Sequence, residues 1–184
     1  LKIAPDFTNL IEHVAPENFD NKNNHFCIVP NYRMVDKTNK KDSESYLPFM
    51  AEVTRYAYEK GQKPFILVHG DINDLELAEK ICDRVGANIQ IIKETNPLKI
   101  KGILGASSAT LGSRFHGLVS SLSQGIPALG VGWSHKYQML FEDYGFSEGL
   151  LDLHMPIDEL HKKMDLLFNV TTKEKIVSVI KKNN

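Results

Sequence analysis

The sequence has no surplus of charge, with 22 Lys and Arg against 23 Asp and Glu. A nonspecific nucleic-acid binder is usually basic, so a nucleic-acid partner is not expected, although local basic patches stay open. No apolar run approaches the roughly 20 residues of a membrane-spanning helix, and no signal-peptide pattern opens the chain. Cysteine is scarce. Cys27 and Cys82 form no CxxC pair and stand in no histidine cluster, so they read as buried, reduced thiols of a cytoplasmic protein. His13, His25, His154 and His161 show no ligand spacing, and no grouping of His, Asp, Glu and Cys has the look of a metal site. No internal repeat is present.

What is there suits one globular domain: 184 residues, 42% of them hydrophobic. The chain starts at Leu1. Residues 1–7 read as a short strand entering a turn, and residues 17–24 are polar and asparagine-rich, like a linker. A lone strand ahead of a linker has no sheet of its own. The expectation is therefore that 1–24 is the remnant of an upstream domain plus its linker, 25–168 a Rossmann-like domain and 169–184 a C-terminal helix.

Six segments read as strands, at 25–30, 64–69, 89–93, 109–113, 126–131 and 149–153. Several are continuous apolar runs such as Phe65-Ile66-Leu67-Val68, the pattern of parallel strands covered on both faces. Helical stripes lie between them. Tyr46, Phe49, Met50, Val53 and Ala57 form one, ending near Gly61. Leu75, Ala78, Ile81, Cys82 and Val85 form the next, with a capping-box spacing at Asn73 and Glu76 and a stop at Gly86. Asn96-Pro97 opens a short helix. Phe115, Leu118, Val119 and Leu122 make a fourth stripe, and Tyr137, Leu140, Phe141 and Tyr144 a fifth. Two terminal helices follow, over 156–168 and 172–182, the second with Thr171 and Glu174 at capping-box spacing. Strands alternating with helices imply an α/β fold, a Rossmann-like parallel sheet of about six strands with helices on both faces.

Ligands of such sheets bind beyond the C-terminal strand ends. That rule selects Asn31-Tyr32-Arg33, Gly70-Asp71, Glu94-Thr95-Asn96, residues 113–117 and Trp133-Ser134-His135-Lys136, a rim with two arginines, two histidines and a lysine. The most informative stretch is Gly112-Ser113-Arg114-Phe115-His116-Gly117, a strand breaking into a glycine-flanked turn where a helix starts. Unpaired N–H groups at a helix start favour phosphate or carboxylate. Arginine adds a planar fork for an oxyanion, and histidine a group that trades a proton near neutral pH.

Each candidate also has a plainer reading. His116 could simply bond a neighbouring loop, Arg114 could brace adjacent loops through a carboxylate, and Arg33 could be solvated or salt-bridged. Gly112, Gly117, Gly130 and Gly132 could serve tight turns. Lys136 opposes the dipole at its helix start, which points to an anionic ligand or to a solvated side chain. Trp133 could stack on a ring, but core or interface packing is the expectation. His69 and Asp71, flanking Gly70, read as turn-capping residues.

The order and spacing of Ser113-Arg114-Phe115-His116-Gly117, Gly125-Ile126-Pro127-Ala128-Leu129-Gly130-Val131, Lys136-Tyr137-Gln138-Met139-Leu140 and Asp143-Tyr144-Gly145 resemble the C-terminal half of the polysaccharide pyruvyl transferase family. The likeness is strongest over 107–146 and weaker at 4–7 and 28–36. It implies a two-domain fold like that of B-type glycosyltransferases, of which this is the C-terminal domain, with the missing N-terminal domain of the same protein as a partner. It implies transfer of pyruvyl from phosphoenolpyruvate to a saccharide or lipid-linked saccharide acceptor in cell-surface polysaccharide assembly, with ketal formation and no cofactor or metal. Its expected location is cytoplasmic, with association at the inner face of the membrane left open. The isolated fragment is expected to be inactive.

By the same resemblance His116 and Arg114 are the catalytic candidates, and Arg33, Ser113, Gly117, His135 and Lys136 the substrate-binding ones. Two other readings stay open. One is a sugar-nucleotide-dependent glycosyltransferase or epimerase of the same fold, which commonly carries an acid in the helix after the glycine turn. Here Leu118-Val119-Ser120-Ser121-Leu122-Ser123-Gln124 has none, and Glu142 is the possible substitute. The other is a non-catalytic Rossmann-like module.

Overall fold

A computed structural model describes residues 12–14 and 24–183. The strand read at 1–7, and all but Asn24 of the linker at 17–24, lie outside the described residues. Six strands form one all-parallel sheet: β1 (His25–Val29), β2 (Lys63–Val68), β3 (Gln90–Lys93), β4 (Ala109–Gly112), β5 (Ala128–Val131) and β6 (Leu150–Leu151). Their order is β3-β2-β1-β4-β5-β6. The connections run outward to one side from β1 and then return to β4, so the order reverses between β1 and β4. That reversal is the crevice where doubly wound sheets take their ligands.

The helices are α1 (Arg33–Asp36), α2 (Lys40–Glu59), α3 (Ile72–Val85), α4 (Pro97–Gly105), α5 (Phe115–Leu122), α6 (His135–Asp143), α7 (Ile157–Phe168) and α8 (Val170–Lys182). Strand residues alternate between two apolar layers. Phe26, Ile28, Ile66 and Val68 join the cluster that includes the α2 and α3 stripes, whereas Cys27, Val29, Phe65 and Leu67 pack with Ile103 and Leu104 of α4. Helices therefore cover both faces, and the fold is the expected Rossmann-like sandwich. Ile176 and Ile180 of α8 are buried in the larger layer, alongside Leu160, Met164 and Leu167 of α7. No helix among the described residues is long and apolar enough to cross a membrane.

Local chemistry moved several boundaries. α3 starts at Ile72, two residues earlier than the Asn73 cap implied, because Asp71 accepts the Asn73 N–H. α8 starts at Val170 because Asn169, not Thr171, accepts the Thr172 N–H at 3.1 Å. Gly86 closes α3 in the left-handed conformation at φ 71°, as its position suggested. Cys27 is fully buried and its thiol pKa is pushed up by that burial, but Cys82 is only half-buried. None of Gly112, Gly117, Gly130 and Gly132 has positive φ, so the tight-turn reading fails for them. Close approach explains Gly132 instead: a Cβ there would lie 2.5 Å from the Tyr137 ring.

Candidate active site

Four strand ends converge on one cleft of about 270 Å³. Asn31 and Arg33 reach it after β1, His69 after β2, Arg114, Phe115 and His116 after β4, and Trp133, Lys136 and Tyr137 after β5. The cleft thus straddles the reversal in strand order, as the topology requires.

Its floor is a buried polar network. Asn31 is 6% exposed; its Nδ2 donates to the Ser113 carbonyl at 3.1 Å, and its N–H donates to the Tyr46 hydroxyl at 3.0 Å. The Tyr46 and Ser113 hydroxyls bond each other, and the Tyr137 hydroxyl donates to the Ser113 carbonyl at 2.8 Å. Burial raises both phenols, Tyr137 to about 12, so they are neutral hydrogen-bonding groups here. Ser113 joins the loops after β1 and β4 from below. Its side chain is fully buried and does not line the cleft, although the sequence placed it among the substrate-binding candidates.

Asp74, in the first turn of α3, is the hub of the floor. It is 1% exposed, accepts the Tyr32 N–H at 2.8 Å, and pairs with the Arg114 guanidinium. One carboxylate therefore holds the chain leading into Arg33 and the arginine preceding His116. The pair lies directly over Gly70, where any Cβ would overlap Asp74 Oδ2 and Arg114 Nη2. This is the bracing role that was one reading of Arg114. Its Nε is also buried in the cleft wall without a partner among the described residues, so the guanidinium still has a donor to offer.

The rim is different. His116, at the second position of α5, is exposed, with its ring edge-on to Phe115 at a centroid distance of 5.6 Å. It is neither a core histidine nor on the far edge of the sheet. Arg33 is exposed, and its Nη1 donates to Asp36 at 2.7 Å. Lys136 is exposed and makes no ion pair among the described residues; its Nζ stands 4.5 Å from the Phe115 ring centroid. Trp133 is 42% exposed at the lip, so it is not a core residue. His135 is exposed on α6 and outside the lining, and Gly117 is buried behind it.

Helix ends sharpen the contrast. α2, α3 and α4 are capped by the side chains of Asn39, Asp71 and Asn96. α5 and α6, which start at the cleft, have no side-chain cap, and neither has α7 at the sheet edge. The first N–H groups of α5 and α6 therefore remain for an anion. The loop after β3 is closed on itself, with Glu94 accepting the Thr95 and Asn96 N–H groups, and it takes no part in the cleft. Asp71 is a turn cap, as expected of it, but His69 is not only that, because its ring lines the cleft.

The sequence did not single out Asp74 or the hydroxyls of Tyr46 and Tyr137. Asp71 and Asp74 stand at N-cap and N3 spacing, so a cap placed on Asp71 turns Asp74 inward. Tyrosine, not phenylalanine, at two fully buried stripe positions signals a polar partner at the ring's end.

The family model of polysaccharide pyruvyl transferase matches residues 1–135, a span that includes the loops after β1, β2 and β4 and stops one residue short of Lys136. With nearly three-quarters of its length matched, the chain belongs to the polysaccharide pyruvyl transferase family.

Proposed function

We propose that the cleft binds phosphoenolpyruvate and that the protein transfers its pyruvyl group to a saccharide acceptor, as a ketal bridging two hydroxyls, during assembly of a cell-surface polysaccharide. The observation that carries this is the grouping of Arg33, Arg114, His116 and Lys136 around one small cleft with two uncapped helix starts. Phosphoenolpyruvate offers a phosphate and a carboxylate, and cations with backbone N–H groups suit both. In this reading Lys136, Arg33 and the α5 and α6 N–H groups hold the anionic groups, and Arg114 contributes its remaining donors while bracing the loop.

His116 then delivers a proton to the methylene carbon. The first hydroxyl oxygen bonds the central carbon, the bond from that carbon to the phosphate oxygen breaks, and the second hydroxyl oxygen closes the ketal. One hydroxyl proton returns to His116 and the other leaves with phosphate, so the ring ends the cycle as it began. The acceptor is saccharide or lipid-linked saccharide, and the location is the cytoplasm or the inner membrane face.

The sugar-nucleotide reading is weakened by Glu142, the one substitute acid for its ribose contact. Glu142 is exposed, accepts from Gln138 at 2.7 Å, and does not line the cleft. Thermal-shift titration of the intact protein separates the readings. Phosphoenolpyruvate at about 100 times its Kd should stabilise by about 2.7 kcal/mol. Stabilisation by a nucleoside-diphosphate sugar instead would favour the glycosyltransferase, and by neither a non-catalytic module. Product analysis with candidate oligosaccharides then identifies the acceptor.

A further inference from the structure

We propose that His69 is a second proton-handling residue of this cleft, taking the proton from the attacking acceptor hydroxyl while His116 serves the donor. The proposal rests on the pyruvyl-transfer reading. That reading needs a proton delivered to carbon and another removed from oxygen before the first C–O bond is complete, and one imidazole cannot do both at once.

The placement of His69 fits the second task. It follows β2 directly and lines the same cleft as His116. Its Nε2 is buried and has no hydrogen-bond partner among the described residues. A buried polar atom left unpaired is costly, and native structures keep one where a ligand, a water or a reaction uses it. The atom lies 3.8 Å from where a Cβ on Gly117 would stand, so the ring rests against the first turn of α5, one residue from His116. Glycine at 117 keeps that wall free of a side chain.

The electrostatics separate the two rings. Burial, with Arg114 and His116 nearby, lowers the His69 pKa to about 4, and Asp74 opposes the shift. The other charged groups facing the cleft are Arg33, after β1, and Lys136 on α6, both cationic. His69 is therefore neutral near neutral pH, with a lone pair to accept a proton. A trianionic donor seated among these cations cancels part of their field, which raises the basicity of His69 when its work begins. The balance closes. His69 Nε2 takes the first hydroxyl proton as that oxygen bonds the central carbon; the departing phosphate then takes this proton and leaves as hydrogen phosphate. His116 gives its proton to the methylene carbon and regains one from the second hydroxyl.

Two measurements on the intact protein test this. Histidine NMR needs no substitution: the His69 ring should stay neutral down to about pH 5 alone, and its titration should move up by at least about one unit with phosphoenolpyruvate bound and no acceptor present. His69→Gln should lower kcat at least about a hundredfold with donor KM nearly unchanged, and added imidazole should restore part of the rate of His69→Ala. A folded His69→Gln protein with kcat within about threefold of wild type, or a His69 titration indifferent to the donor, would overturn the assignment. Wild-type protein that forms no pyruvylated product from phosphoenolpyruvate would instead remove the pyruvyl-transfer reading beneath it.

Discussion

The floor of the cleft and its rim use similar residue types for opposite ends. On the floor polar groups are paired with one another, the Arg114 Nε apart: the Arg114 guanidinium is held by a carboxylate that is 1% exposed, and two tyrosines and an asparagine satisfy one another around Ser113. On the rim, Lys136 and His116 stand exposed beside helix starts that no side chain caps. Arg33 lies between these extremes, with one bond to Asp36 and over half of its side chain exposed. Charge buried and paired fixes geometry; charge exposed and unpaired remains for a ligand. Substitutions on the floor should therefore cost stability first, and substitutions on the rim should cost binding or turnover alone.

The largest effect should come from Asp74→Ala. It strands the Arg114 guanidinium and the Tyr32 N–H together, and breaking a buried pair by removing one partner costs about 3–5 kcal/mol. Denaturant unfolding should show a loss near the lower figure, because the Arg114 side chain is 26% exposed. Gly70→Ala should mimic part of it, since its Cβ needs the space the ion pair fills. A loss under about 0.5 kcal/mol for Asp74→Ala, the range of ordinary surface changes, would mean the floor is not built on this pair.

Next comes acid sensitivity. The folded-state pKa of His69 is about 4 against an ordinary 6.5, so between those values the unfolded chain binds more protons. The stability tied to the neutral ring is fully present above pH 6.5 and is lost as pH falls toward 4. A shift of this size corresponds to about 3 kcal/mol. His69→Gln should flatten the fall in Tm across that window. An identical pH profile for the variant would show that His69 titrates normally.

This division also explains what was legible in the sequence. Hydrophobic periodicity is written in the chain, so six strands and the main helices could be read from runs such as Phe65-Ile66-Leu67-Val68. The exposed rim was legible as well, because Arg33, His116 and Lys136 follow strand ends. The floor was not. Asp74 meets Arg114 from 40 residues away, and Tyr46 meets Ser113 from 67, and no local pattern encodes those pairings. His69 was readable only as a turn residue because its unpaired nitrogen is a property of packing. Capping errors have a shorter-range cause: Asp71, Asn73 and Asp74 can each cap a helix, and the backbone chose the first.

On the rim, His116→Ala should reduce turnover at least about a hundredfold, the low end for a lost general acid or base. Its stability should stay within about 0.5 kcal/mol of wild type, as for exposed positions generally. Steady-state kinetics beside a melting curve separates the two quantities. Near-normal turnover would take His116 out of the chemistry, and a large stability loss would move it from rim to floor. Arg114→Lys should fall between the regions. It keeps the charge but loses the planar fork, so both donor KM and stability should worsen.

Lys136→Met is the smallest and most discriminating change. The lysine sits in the first turn of α6, where a cation opposes the helix dipole by some 0.3–1 kcal/mol. Its contact with the Phe115 ring returns a similar amount, about 0.5–1 kcal/mol at an exposed site. These terms nearly cancel, so the substitution should leave Tm unchanged within a degree or two, about 0.5 kcal/mol at this chain length. A charged hydrogen bond to the donor is worth about 1.5–3 kcal/mol, so donor KM should rise roughly tenfold or more. A lysine retained for the scaffold would show the reverse, a lower Tm with donor KM unmoved. That outcome would erase the distinction between floor and rim at the one cation that makes no ion pair among the described residues lining the cleft.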